Sequence, residues 1–279
     1  MLLRSLLPFS LLLLSCQPSS QKVAAGGTGS EPRVCAHCQY LYGAIIRGDT
    51  AQKNISLVFT GDEYADGGEH ILAVLQRHQI PGSFFLTGRF YRNPRFAPLI
   101  RKLVSAGHYL GAHSDQHLLY CDWEHRDSLL LSRDQFTEDL ELNYTTMSSF
   151  GISQEEAPYF LPPYEWYNDT ISAWTHSMDL QLLNYTPGTL SHADYTLPGS
   201  PEYRSSETIY NSIMEYESGR ADRLSGFILL SHVGTAPERT DKFYFLLEDL
   251  IMELKARGYQ FRRIDSLLTD MNTVSLKKP

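Results

Sequence analysis

The chain has 279 residues, 42% of them hydrophobic and 20% charged, the make-up of a folded globular protein with one large core. A formal net charge of -8 and a pI near 5.7 argue against a nucleic-acid partner, because neutralising phosphates takes clustered Lys and Arg. A neutral or sugar-like ligand fits that balance better.

The first sixteen residues, MLLRSLLPFSLLLLSC, hold one Arg, an apolar stretch and then Cys16. The stretch is too short to span a bilayer as a finished helix and reads as a secretory signal. Its ending, Leu13-Leu14-Ser15-Cys16, resembles the lipobox of bacterial lipoproteins. That makes Cys16 the expected lipidation site and the protein an exported bacterial lipoprotein, held by its lipid anchor at the outer membrane, a periplasm-facing membrane or the cell surface. Residues 17–37 are expected to be a flexible linker, since QPSSQKVAAGGTGSEP cannot bury enough surface to order itself. Residues 38–279 form the expected folded domain. At the junction lies CAHC, in which Cys35 and Cys38 can be a disulfide, a metal clip with His37 or two free thiols. No second Cys or His pair follows at zinc-site spacing, so the motif reads as structural or incidental.

Past the linker, strand-like and helix-like stretches alternate. Strands are expected at 55–59 (ISLVF), 82–87 (GSFFLT), 108–113 (HYLGAH), 157–161 (APYFL), 180–185 (LQLLNY), 226–232 (GFILLSH) and 259–264 (YQFRRI). Helical period runs through 70–78, 96–107, 133–151, 168–178, 206–218 and 241–258, with Gly107, Gly151, Gly219 and Gly258 placed as left-handed caps. Such alternation implies a parallel sheet covered by helices, closed as a barrel or open and doubly wound.

Chemistry in these folds gathers at the carboxyl ends of strands. The polar residues there are Asp62 and Glu63, His113 and His117, Tyr164 and Glu165, and His232. Histidines four apart in a helical turn point the same way, so HSDQH suits one metal ion shared with a carboxylate from another loop. Tyr120, Trp123, Tyr164, Trp166 and Tyr167 are expected near the mouth, where flat aromatic faces stack on sugar rings. Arg239 and Asp241 read as the start and cap of a helix.

Four of these segments, VFTGDEYADGG, HSDQH, LPPYEWYN and LLSH, occur in the order of the motifs of the polysaccharide deacetylases of carbohydrate esterase family 4, which the chain from about Ser56 to Leu268 resembles. IPGSFFLTG and LVSAGHYLGAHS resemble the stretches that flank those motifs. The resemblance implies an α/β fold, a distorted (β/α) barrel with about seven parallel strands. It implies a divalent metal, zinc foremost with cobalt, nickel or manganese as alternatives, bound by Asp62, His113 and His117. It makes His232 the general acid. The family's base Asp falls on Gly61, and the Arg that holds that Asp in place is Leu161, so the base is missing together with its partner. Glu63, which replaces the motif's glycine, is the expected substitute base, and Glu165, where the family often has glycine, is a second candidate. Tyr164, Glu165 and Trp166 are the expected substrate-binding residues. An Asp that in the family tunes the acid histidine has no match in LLNYTPGT, with Asp194 the nearest downstream. The expected function is metal-dependent removal of N- or O-linked acetyl groups from a carbohydrate. The alternatives are a catalytically silent sugar-binding lipoprotein and an amidohydrolase of the same fold.

Overall fold

The apolar run at 54–61 lies inside a parallel sheet in the computed structural model, which describes residues 35–269. The signal and lipidation expectations, and most of the linker, fall outside the described residues. In chain order the elements are β1 (Gln39–Leu41), β2 (Ala44–Arg47), β3 (Asn54–Gly61), α1 (Gly68–Arg77), β4 (Ser83–Leu86), α2 (Gly88–Arg92), α3 (Ala97–Ser105), β5 (Tyr109–Ala112), α4 (Arg133–Ser148), β6 (Tyr159–Phe160), α5 (Asp169–His176), β7 (Gln181–Leu182), α6 (Ser206–Gly219), β8 (Phe227–His232), α7 (Leu247–Ala256), β9 (Gln260–Phe261) and α8 (Ile264–Leu268).

Seven strands make one sheet in the order β7-β6-β5-β4-β3-β8, with β9 added against the start of β3, and every pairing in it is parallel. Parallel neighbours need crossover helices, and β3 is buried along nearly its whole length, which is why it reads as a nearly unbroken apolar run. Ile71, Leu72, Val74 and Leu75 of α1 and Leu99, Ile100 and Leu103 of α3 are the buried stripes that seal it.

The chain after β7 draws the sheet's two ends toward each other. Leu183 bridges Ile45 of β2, Asn184 N donates to Ile45 O at 2.8 Å, and Thr186 N donates to Ile228 O of β8 at 3.0 Å. The result is the distorted (β/α) barrel that the family resemblance implies, one of the two arrangements that the alternation leaves open. Two expectations change in detail. Gly107, Gly151 and Gly258 have positive φ at helix ends, whereas Gly219 is the last residue of α6, which ends on extended Arg220. The expected helix at 241–258 begins as a 3-10 turn at Phe243–Leu246, just after Lys242 Nζ donates to Thr235 O and Ala236 O.

Cys35 and Cys38 are joined as a disulfide, so the end of the expected linker is tied to the domain. Cys121 is free and buried. Among the described residues, no helix is long and apolar enough to cross a membrane.

Candidate active site

His113 and His117 follow β5, but HSDQH is not a helical turn. Ser114 and His117 have φ of 71° and 56°, and the loop is shaped by α4. That helix begins with a capping box of Ser132 and Gln135 and turns Asp139 and Asn143, four apart, toward the loop. Asp139 accepts from Ser114 Oγ at 2.6 Å, Asp115 N at 3.0 Å and Gln116 N at 2.9 Å, and Asn143 Oδ1 accepts from His113 N at 2.9 Å. A carboxylate that gathers three donors outweighs local helical preference. The two rings still meet, edge to face, with centroids 5.1 Å apart. Asp139→Ala leaves two buried donors and one part-buried donor unanswered, and the expected result is a loss of about 3 kcal/mol, read from the urea midpoint, with Asp139→Asn milder.

His113 Nδ1 lies 2.8 Å from Leu161 O. Facing a carbonyl, that nitrogen carries the proton, which leaves Nε2 as a lone-pair donor. Burial, and then His117, hold His113 well below the usual imidazole range. Burial pushes His117 down to about 4, with Asp62 opposing and Arg89 and His232 adding to the fall. Both rings are therefore neutral at neutral pH.

Asp62 follows the end of β3. Its Oδ1 accepts from Thr87 Oγ1 at 2.8 Å and from Arg89 Nε at 3.2 Å, and its Oδ2 accepts from Arg89 Nη2 at 2.5 Å. A Cβ on the preceding Gly61 would lie 2.8 Å from Leu86 Cδ2 and 3.1 Å from Phe90 Cε2, so a side chain at the place of the family's base Asp requires Leu86 and Phe90 to shift. Two neutral imidazoles suit a divalent metal, but a carboxylate with both oxygens on Thr87 and Arg89 does not complete their ligand set. Among the described residues, no three His, Cys, Asp or Glu side chains are arranged to hold a metal ion.

Glu63 is exposed and lines a groove of about 520 Å³ with Asp66, Arg95, Phe96, Thr235 and Lys242. No hydrogen bond or ion pair joins it to the histidines.

His232 ends β8 and is engaged twice by Asp194, from Nδ1 to Oδ1 at 2.6 Å and from its backbone N to Oδ2 at 2.9 Å. Burial works to lower the His232 pKa. The charge and hydrogen bond of Asp194, then the charge of Glu165, outweigh it and hold the ring above the usual value. Asp194 is thus the partner for which LLNYTPGT offered no candidate. Arg239, fully buried, donates to Thr196 O at 2.6 Å and Arg204 O at 2.9 Å and so fastens the segment that carries it. It is a strut between loops and not the start of a helix.

Tyr164 and Glu165 sit in a 3-10 turn after Pro162, both left-handed at φ of 58° and 52°. Two consecutive non-glycine residues in that region are costly and mark a turn held by its surroundings. Asn184 Nδ2 donates to Glu165 O at 2.9 Å. The Glu165 carboxyl is pushed up to about 7 by burial, against a lowering effect of His232. It is the carboxylate that the fold brings into electrostatic reach of His232 and Asp194.

Tyr164 packs edge-on to His117 at 4.5 Å, Trp123 lies 5.5 Å from both Tyr164 and Trp166, and Tyr195 stands 5.1 Å from His232. Trp123 and Tyr195 are each 54% exposed, so aromatic faces border the histidines on two sides. Tyr120 and Tyr167, expected at the mouth, are buried in the core.

A family model described as polysaccharide deacetylase matches residues 47–183. Those residues form a polysaccharide deacetylase domain. The chain is 24% identical over 228 residues to the peptidoglycan-N-acetylmuramic acid deacetylase PdaA of Bacillus subtilis (strain 168), covering 81% of this chain and 76% of that relative. Its fold matches BA3943, a CE4 family pseudoenzyme from Bacillus anthracis, with a TM-score of 0.62 and 20% identity over 82% of this chain and 70% of that one. It also matches a family 4 acetyl xylan esterase from Clostridium thermocellum in complex with a cobalt ion, with a TM-score of 0.58 and 23% identity over 78% and 91% of the two chains. Polysaccharide deacetylases of this family are generally metal-dependent. His232 and Asp194 lie beyond the segment matched by the family model.

Proposed function

We propose that this polysaccharide deacetylase-domain protein hydrolyses acetyl groups from a carbohydrate through Glu165, His232 and Asp194. The observation that carries the reading is the His232–Asp194 pair at 2.6 Å with the raised Glu165 carboxyl beside it. A base poised near neutrality and an acid held above its usual pKa are what hydrolysis at neutral pH requires. Glu165 takes a proton from water as the water oxygen attacks the acetyl carbonyl carbon. His232 gives its proton to the leaving sugar nitrogen or oxygen as the C–N or C–O bond breaks, and acetate departs. Asp194 keeps the His232 ring oriented and favours its protonated form. This assigns the base to Glu165, since Glu63 is exposed and lines a separate groove with Asp66, Arg95 and Lys242. Tyr164, Trp123 and Tyr195 offer flat faces for sugar rings.

Substrate is sought first among glycans resembling that named for PdaA. Acetate release is measured from acetylated peptidoglycan fragments, chitin oligomers and acetylated xylan, with and without chelator and added zinc or cobalt. Release from at least one glycan that is lost in the Glu165→Gln variant supports the reading; no release from any of them under all conditions ends it. A second reading, a sugar-binding protein without turnover, is favoured by one observation, the engagement of Asp62 by Arg89, and has a precedent of fold in the BA3943 pseudoenzyme. Glycan binding without acetate release is its signature. Anchoring of the domain through Cys16 to an exported face of the cell remains part of the proposal and is tested by fractionation of a Cys16→Ala variant.

A further inference from the structure

We propose that Arg89 is a built-in competitor for the cation position beside Asp62, so that the pocket binds divalent metal weakly and becomes a metal centre when the guanidinium is removed. The inference rests on the reading of Asp62, His113 and His117 as one pocket, and not on any turnover there.

The half-site for a metal is intact. His113 is fixed in orientation by Leu161 O at 2.8 Å, which leaves its Nε2 as the lone-pair donor, and His117 meets it at 5.1 Å between ring centroids. The third donor is diverted. Arg89 holds Asp62 through both carboxylate oxygens, the fork geometry in which guanidinium outperforms ammonium. Thr87 adds a third bond at 2.8 Å.

The guanidinium is held in place by its own backbone. Thr87 caps α2 by accepting from Phe90 N, and Arg89 N donates to Asp115 O at 3.2 Å, inside the HSDQH loop. A Cβ on Gly88 would stand 1.7 Å from Asp115 Oδ1, so the start of α2 lies directly on that loop. Asp115, fully buried, is neutralised by Arg92 from the same helix. One short helix therefore delivers two guanidinium groups to two carboxylates, Arg89 to Asp62 and Arg92 to Asp115. A divalent ion between Asp62 and the imidazoles has to displace one of them and bear the repulsion of its charge at close range. Arg89 is 42% exposed at the side chain and can leave without opening the core.

The test is titration of the metal-free protein with Co²⁺ and with Zn²⁺, read by calorimetry and by the visible absorption of bound Co²⁺. Arg89→Met keeps the aliphatic stem and removes the charge. The expected result is weak binding in the parent chain and binding tighter by roughly tenfold or more in Arg89→Met, a factor worth about 1.4 kcal/mol. The gain should vanish in Arg89→Met/His117→Ala, with thermal melts showing that each variant is folded. Tight one-to-one binding by the parent chain that resists chelator overturns the proposal, as does an Arg89→Met variant with unchanged affinity. Because binding is read without substrate, failure of the acetate-release assay leaves this result standing.

Discussion

Asp194→Asn is expected to lower turnover about a thousandfold while the melting temperature changes little, the loss typical when a histidine keeps its place but loses the carboxylate that fixes its tautomer. Asp194 meets His232 at both the ring and the backbone, so an amide of the same shape preserves one contact and loses the charge. The charge matters because burial alone would lower the His232 pKa and Asp194 reverses that direction. In the variant the ring deprotonates at lower pH. The basic limb of the pH–rate profile therefore moves downward, and the acid needed for the leaving group is scarce at neutrality. The stability linked to this pair has the same sign. It is fully present below the unfolded imidazole pKa, near 6.5, and is lost as pH rises through the higher folded value. Parent and variant should therefore differ most in acid and converge in alkali. Turnover within threefold of the parent chain, with an unmoved basic limb, would show that His232 does not act as the acid.

The parts of the fold that were legible are those with long, regular periods. Residues 54–61 are buried nearly throughout and residues 97–105 bury one stripe, and an unbroken apolar run and an apolar helical period are the direct records of such burial. What failed was short or had its direction set by distant contacts. The apolar run at 180–185 supplies only Gln181–Leu182 to the sheet, because the next residues leave for β2 and β8. The hairpin β1–β2, QYLYGAIIR, shows no polar–apolar alternation, and with Gly43 left-handed at its turn it abuts the polar linker and carries no motif. The five residues of α2 are too few to show a period, although they deliver Arg89.

The site divides along the same line. The histidines were legible because a strand end fixes where each one lies. Their geometry was not, since Asp139 acts from another element and the only sign of it in the chain is an Asp and an Asn four apart on a helix face. Asp194 lies 38 residues before His232 and is set in place by a buried Arg239. No local pattern announces such a contact. Adjacency to Asp62 made Glu63 the natural base, but the turn after β3 leaves it exposed. The proposed base rests on a different signal, at Glu165: a charged residue in a Pro-Pro-Tyr turn at a position where the resembling family often has glycine.

Glu165→Gln tests that signal most directly. A base that loses its charge costs about a hundredfold to ten-thousandfold in rate, and the acid limb near pH 7 should disappear with it. The stability readout is independent of substrate. The folded carboxyl is raised from 4.5 to about 7, so the folded chain holds a proton that the unfolded chain releases in between. The parent chain therefore loses stability, about 3 kcal/mol at most from this group, as pH rises across that window, and Glu165→Gln lacks that loss. Glu165→Gly separates backbone from side chain. Glycine accepts φ of 52° without strain, so this variant should melt higher than Glu165→Gln yet be equally inactive. A left-handed glutamate that persists despite that strain is explained if its carboxyl is needed where the turn puts it. If Glu165→Gln keeps full activity while Glu63→Gln abolishes it, the proton leaves water on the other side of the pocket and the turn at 164–165 serves shape alone.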